Sequence, residues 1–108
     1  MKLTELEPKF LRRETDRSWY EIDDLSKADG VMFLCPKCFR ANNGRVGTHV
    51  VICWSPKVPQ TTSPGPGRWN LVGTGYVDLS LVAGSSSVQI TSGCRWHGFV
   101  RNGEVTEA

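Results

Sequence analysis

Acidic side chains all but vanish from the middle of this chain: between Val31 and Gly103 there is a single one, Asp78. A hydrolase that works with two carboxylates has nothing to build on there. No run of 18 apolar residues is present, so no helix can be expected to cross a bilayer. No phosphate-loop motif occurs, and the lone Gly-x-Gly, in "LVGTGYVD", lacks both the third glycine and the helical pattern of a nucleotide fingerprint. Histidine is scarce too, with only His49 and His97. Met1 to Arg13 has no continuous apolar stretch of the signal-peptide kind, which leads us to expect a reducing cytoplasm. In that setting the four cysteines read more readily as metal ligands than as disulfides.

What is there divides unevenly. Residues 1–30 carry six basic and eight acidic side chains, whereas residues 31–103 carry seven basic ones (Lys37, Arg40, Arg45, Lys57, Arg68, Arg95, Arg101) against Asp78 alone. The expectation is one small domain: a charged N-terminal arm or strand over 1–29 and a body of net charge +6 between 31 and 103. At 108 residues, burial alone gives such a domain modest stability.

Several short β-type segments stand out. "SWYEI", "VMFLC" and "THVVICW" are apolar and rich in β-branched or aromatic residues. The last has one face of His49, Val51 and Cys53 and another of Val50, Ile52 and Trp54. "DDLSKADG" reads as a helical turn closed by Gly30. "RWNLVG" and "YVDLSLV" predict further strands, the latter with Val77, Leu79 and Leu81 on one face. "SVQITSGC" leads to a closing hairpin, "WHGFV" and "RNGEV", whose Asn-Gly pair suits a type I′ turn. Residues 55–67 form a Pro/Gly-rich loop holding four of the six prolines, a length that marks a functional or mobile segment. The predicted fold is mostly β, a small antiparallel domain with little helix.

Two short motifs carry the chemistry. Cys35-Pro36-Lys37-Cys38 is C-x-x-C, and Cys94-Arg95-Trp96-His97 is C-x-x-H. Two residues between donors let one tight turn aim both at a single ion, and two such knuckles supply zinc's tetrahedral shell. We therefore expect one structural Zn²⁺ on Cys35, Cys38, Cys94 and His97. With 55 residues between the knuckles, a sheet must be built between them. Gly93 and Gly98 flank the second knuckle, and Asn42-Asn43-Gly44 reverses the chain after the first.

His49 and Cys53 lie four residues apart on one face of a probable strand, roughly 13 Å at about 3.3 Å per residue. They can form neither a dyad nor a shared site. Cys53 reads as a small buried apolar side chain, and His49 as a hydrogen-bonding or surface residue. Trp54, Trp69 and Trp96 are either large core residues or a cage for a small ligand. Arg40, Arg45 and Arg68 are candidate partner contacts, and Phe39 with Trp54 or Trp69 could stack on nucleic acid.

The whole layout resembles a numbered family of small bacterial and phage-encoded zinc-binding domains. The likeness is carried by "MKLTELEPKF", "FLCPKC", "RWNLVGTGYVDLSLV" and above all "CRWHGFVRNGEV". Gly98-Phe99 after the knuckle histidine and the "VPQTTSPGPG" loop place it nearer the phage and prophage branch. The two-knuckle, tryptophan-rich plan is also similar to β-tent domains such as the cereblon ligand-binding domain and the B-type methionine sulfoxide reductases. The reductases' catalytic Arg-x-Cys-x-Asn strand is absent. The resemblance implies an accessory binding module without carried-over catalytic residues, in a host cytoplasm or in a phage particle. The expected function is thus a non-catalytic, zinc-stapled module that binds a protein partner. Nucleic-acid binding through the basic body, or small-ligand capture by tryptophans, are the alternatives.

Overall fold

The computed structural model describes residues 1–84, 86–90 and 94–108. Among these residues the elements are nine short strands, one helix and two 3-10 turns at Leu3–Leu6 and Leu25–Lys27. Among the described residues no helix is long and apolar enough to cross a membrane. The fold is mostly β and antiparallel, as expected.

The largest sheet has four strands in the order β2-β1-β3-β4. They are β1 (Lys9–Thr15), β2 (Ser18–Ile22), β3 (Gly30–Leu34) and β4 (Val50–Trp54). Consecutive residues of a strand face opposite sides, and here both sides are covered. Phe10, Val31, Phe33, Val51 and Cys53 enter the main core, while Leu11 and Trp54 form a second cluster with Val58 of the 55–67 loop. The charged first segment belongs to this body: Leu3, Leu6 and Phe10 are buried in the main core.

A two-stranded ribbon, β5 (Asn70–Val72) with β6 (Ser80–Val82), and a three-stranded sheet close the other side of that core. The three-stranded sheet consists of β7 (Val88–Gln89), β8 (His97–Arg101) and β9 (Glu104–Glu107), in that order. The strand expected over 76–82 is shortened to Ser80–Val82 because Asp78 folds its start into a turn. The Asp78 carboxylate accepts from the backbone of Thr74 and Gly75 and from the Thr74 hydroxyl, and these bonds hold its pKa below the ordinary carboxylate value. Leu79 and Leu81 are buried as the alternation requires, but Val77 is 80% exposed. Asn102 and Gly103 both take positive φ, 49° and 75°, the geometry of the expected type I′ hairpin between β8 and β9.

The Pro/Gly-rich loop is tied down by one side chain. Arg68 donates from Nε to the Val58 carbonyl, from Nη1 to Pro64 and Gly67, and from Nη2 to Pro59 and Thr62. All five guanidinium donors are thereby used within the protein. Thr62 adds a second fixing point: its hydroxyl accepts from Arg13 Nε at 2.7 Å and donates to Asp16 at 2.8 Å.

Candidate metal centre

The C-x-x-C motif sits where β3 becomes the helix α1 (Pro36–Asn42). Cys35 is the residue before the helix, Pro36 opens it, and Cys38 lies in its first turn. Proline favours the first helical position because its missing N–H would be unpaired there. The helix ends on Asn43 in the left-handed conformation, φ 54°, which performs the expected chain reversal.

The next donor, His49, immediately precedes β4. The β3–β4 ladder pairs Leu34 with Val50 and Val31 with Cys53, and it extends one rung further through Cys35 N–H to His49 C=O at 2.9 Å. Cys35 and His49 are thus directly opposed across neighbouring strands, with side chains on the same face. Cys94 completes the group. Lys37 Nζ donates to the Cys94 carbonyl at 2.8 Å, pinning the segment to α1.

Cys35, Cys38, His49 and Cys94 place their ligand atoms all within 4.8 Å of one another. The Cys35 and Cys94 sulfurs are 3.3 Å apart, and His49 Nε2 is 3.1 Å from Cys94 Sγ. All cysteines are free thiols. Around a tetrahedral zinc, with Zn–S about 2.3 Å and Zn–N about 2.0–2.1 Å, neighbouring sulfurs stand about 3.8 Å apart and sulfur and nitrogen about 3.6 Å. The Cys35–Cys94 and His49–Cys94 pairs would each have to open by about half an ångström to seat an ion. Three soft thiolates and an imidazole are the donor set that suits zinc.

The fourth donor differs from the expectation: it is His49, and His97 lies outside the group. Trp96 and Val100 point into the core, so alternation along β8 sends His97 to the opposite, exposed face. Its carbonyl accepts from Ala108 N–H at 2.9 Å, as part of the β8–β9 ladder. Arg95, with φ 53°, turns the chain between Cys94 and that strand. Gly93 lies outside the described residues. Gly98 does serve the local packing: a Cβ there would overlap the Thr106 carbonyl and the Trp96 ring.

The electrostatics single out Cys94. Burial pushes its thiol up, but hydrogen bonds from His49 and Cys35 outweigh this and hold it down at about 6. Burial pushes Cys35 up to about 12 and raises Cys38 as well. The Cys94 sulfur raises His49 above its ordinary value. The metal-free cluster therefore has the character of one thiolate beside an imidazole, with two thiols still protonated.

The remaining candidates separate. Cys53 is buried in the core and far up in pKa through burial alone, the inert thiol expected. Trp54 and Trp96 are fully buried, in different clusters. The Trp54 indole donates to the Ser63 carbonyl at 2.9 Å, and the Trp96 ring stands edge-on to Phe33. Trp69 alone of the three is half-exposed. Arg40 and Arg45 are surface residues 3.8 Å from Glu107 and 3.9 Å from Glu7, and Arg68 is consumed by its loop. Phe39 packs against the main core.

No known protein family matches the chain, and no curated protein or solved structure matches it either. The likeness to the numbered zinc-binding family rests on the motifs quoted above.

Proposed function

We propose that the chain is a non-catalytic interaction module, stapled by one zinc ion and binding a protein partner. The observation that supports it is the Cys35–Cys38–His49–Cys94 donor set. Four protein donors fill a tetrahedral shell, so a zinc held there has no position for water or substrate and contributes folding energy. The donors come from the β3–α1 junction, from the residue before β4 and from the segment before β8, so one ion ties the four-stranded sheet to the three-stranded one. With zinc bound, the centre carries net charge about −1, beside Lys37 and Arg95. The other basic side chains are dispersed: Lys57 is 3.3 Å from Asp29, and Arg101 lies over the Phe99 ring. Scattered cations of this kind favour a protein partner over a polyanion. We place the protein in a reducing compartment, such as a bacterial host's cytoplasm, where thiolates persist.

The test is metal content on protein purified without added metal, followed by thermal unfolding with and without a strong chelator. One zinc per chain, with folding lost on chelation, is the expected result. A metal-free chain that folds equally well would overturn the proposal.

A further inference from the structure

A groove of about 590 Å³ lies between the two sheets, next to the metal centre. Val50, Val51 and Ile52 line it from β4, Val88, Gln89 and Ile90 from β7 and the residue after it, and residues 64–67 from the Pro/Gly-rich loop. Consecutive residues of a strand point to opposite faces. A wall that shows three in succession is therefore a strand edge, with its main chain turned toward the groove. β4 and β7 are indeed the outer strands of their sheets.

The ladders fix which main-chain groups face inward. Ser55 N–H bonds Asp29 C=O, and Cys35 N–H bonds His49 C=O. By the alternation of an antiparallel pair, residues 51 and 53 then bond β3, while 50, 52 and 54 turn their N–H and C=O away from it. On the other wall Ile90 N–H bonds Trp96 C=O, so Ile90 and Val88 face β8 and Gln89 faces the groove. Among the described residues nothing bonds the Ile52 or Gln89 main-chain groups on that side. Trp69 demonstrates how the gap is bridged. At one end its main-chain N–H donates to Trp54 C=O on β4 at 3.0 Å, and its indole N–H donates to the Ser87 carbonyl beside β7 at 3.1 Å. Among the described residues no Asp, Glu, Lys or Arg lines the groove, and its titratable lining residue, His49, is engaged with the Cys94 sulfur, so an occupant should be uncharged along its buried stretch.

We propose that this groove binds an extended, centrally uncharged peptide of the partner protein as an added strand between β4 and β7, continuing the bridge that Trp69 begins. The proposal rests on the interaction-module reading and names that partner's chemistry. A strand with an edge on each side supplies donors and acceptors alternately to Ile52 and to Gln89, which a helix cannot do. The apolar parts of Val50, Ile90 and Trp69 then take alternate side chains.

The experiment is selection of a displayed library of random ten-residue peptides on the full, zinc-loaded chain. Enriched sequences are then synthesised with N-methyl groups on one or the other alternate set of residues. Enrichment of uncharged-centred peptides is expected, and methylation of either set should weaken binding about tenfold, since each set faces one wall. Gln89→Pro removes only a groove-facing N–H, a place where an edge strand tolerates proline. It should also weaken binding about fivefold or more, with zinc content and unfolding temperature as controls on the fold. No enrichment, binding indifferent to methylation, sensitivity to one set only, or undiminished binding by Gln89→Pro would each overturn the proposal. Zinc content is read independently, so a groove that fails on a zinc-bearing fold leaves the module reading standing. Peptide binding by a metal-free chain would do the reverse.

Discussion

Replacing each histidine in turn gives the sharpest perturbation, because the sequence pattern and the three-dimensional arrangement disagree about which one ligates. His49 Nε2 stands 3.1 Å from Cys94 Sγ inside the four-donor group, whereas His97 points to solvent from β8. Structural zinc sites of four donors bind with about 10–16 kcal/mol in total. A quarter of that, about 2.5–4 kcal/mol, is the share of one donor, or on the order of 10²–10³ in affinity. Water can replace the lost imidazole and moves the expectation toward the lower figure. His49→Ala should therefore weaken zinc binding about a hundredfold, while keeping the three thiolates. His97→Ala removes an exposed ring and should change affinity by no more than about twofold and stability by no more than about 0.5 kcal/mol. Competition against a chromophoric chelator measures the affinities. Cobalt substitution reports the shell directly, since loss of the nitrogen donor changes the tetrahedral absorption bands. If His97→Ala weakens binding a hundredfold and His49→Ala does not, the placement of β8 and the reasoning from it are wrong.

Zinc affinity should rise steeply with pH. Cys35, raised to about 12, and Cys38, also raised, hold protons at neutral pH in the metal-free protein and lose them to bind the ion. Two released protons give about a hundredfold gain per pH unit near neutrality, and chelator competition at two pH values checks it. Arg68→Lys leaves at most three donors where five are used, and should cost about 1–3 kcal/mol. The sign of success is faster proteolysis within residues 58–67 at unchanged zinc content. Gly98→Ala drives a methyl group into the Thr106 carbonyl and the Trp96 ring, and should lower stability by about 3 kcal/mol in denaturant titration.

Much of the strand pattern could be read from local residues, because "VMFLC", "HVVICW" and "GFVRNGEV" carry their period and turn chemistry within themselves. The three cysteines of the candidate metal cluster were legible for the same reason. His49 was not, since its role depends on pairing. A signal existed: "VMFLC" ends and "HVVICW" begins with a donor on the face shared with alternate core residues, Val31 and Phe33 with Cys35, Val51 and Cys53 with His49. Pairing them as an antiparallel hairpin brings Cys35 and His49 to one rung. The C-x-x-H spacing of Cys94 and His97 masked this, because spacing alone does not say that a strand begins at His97 and turns its ring outward. Likewise the turn that Asp78 builds with Thr74 and Gly75 overrode an apparently continuous alternation.

Arg68 has a consequence for how this domain would come apart. Its guanidinium binds five peptide carbonyls and no carboxylate. A carbonyl has no proton to gain as acidity rises. Of the carboxylates that anchor the loop, Asp16 is held down to about 2 by its hydrogen bonds to Arg13 and Thr62, and Asp29 stands 3.3 Å from Lys57. A metal ion on the four-donor cluster would have the opposite temperament, opened by protons, chelators and oxidants alike. The protein thus has two fasteners with separate failure modes. If an ion sits there, conditions that strip it would release the three-stranded side first, while the loop stays buttoned over Trp54 and Leu11.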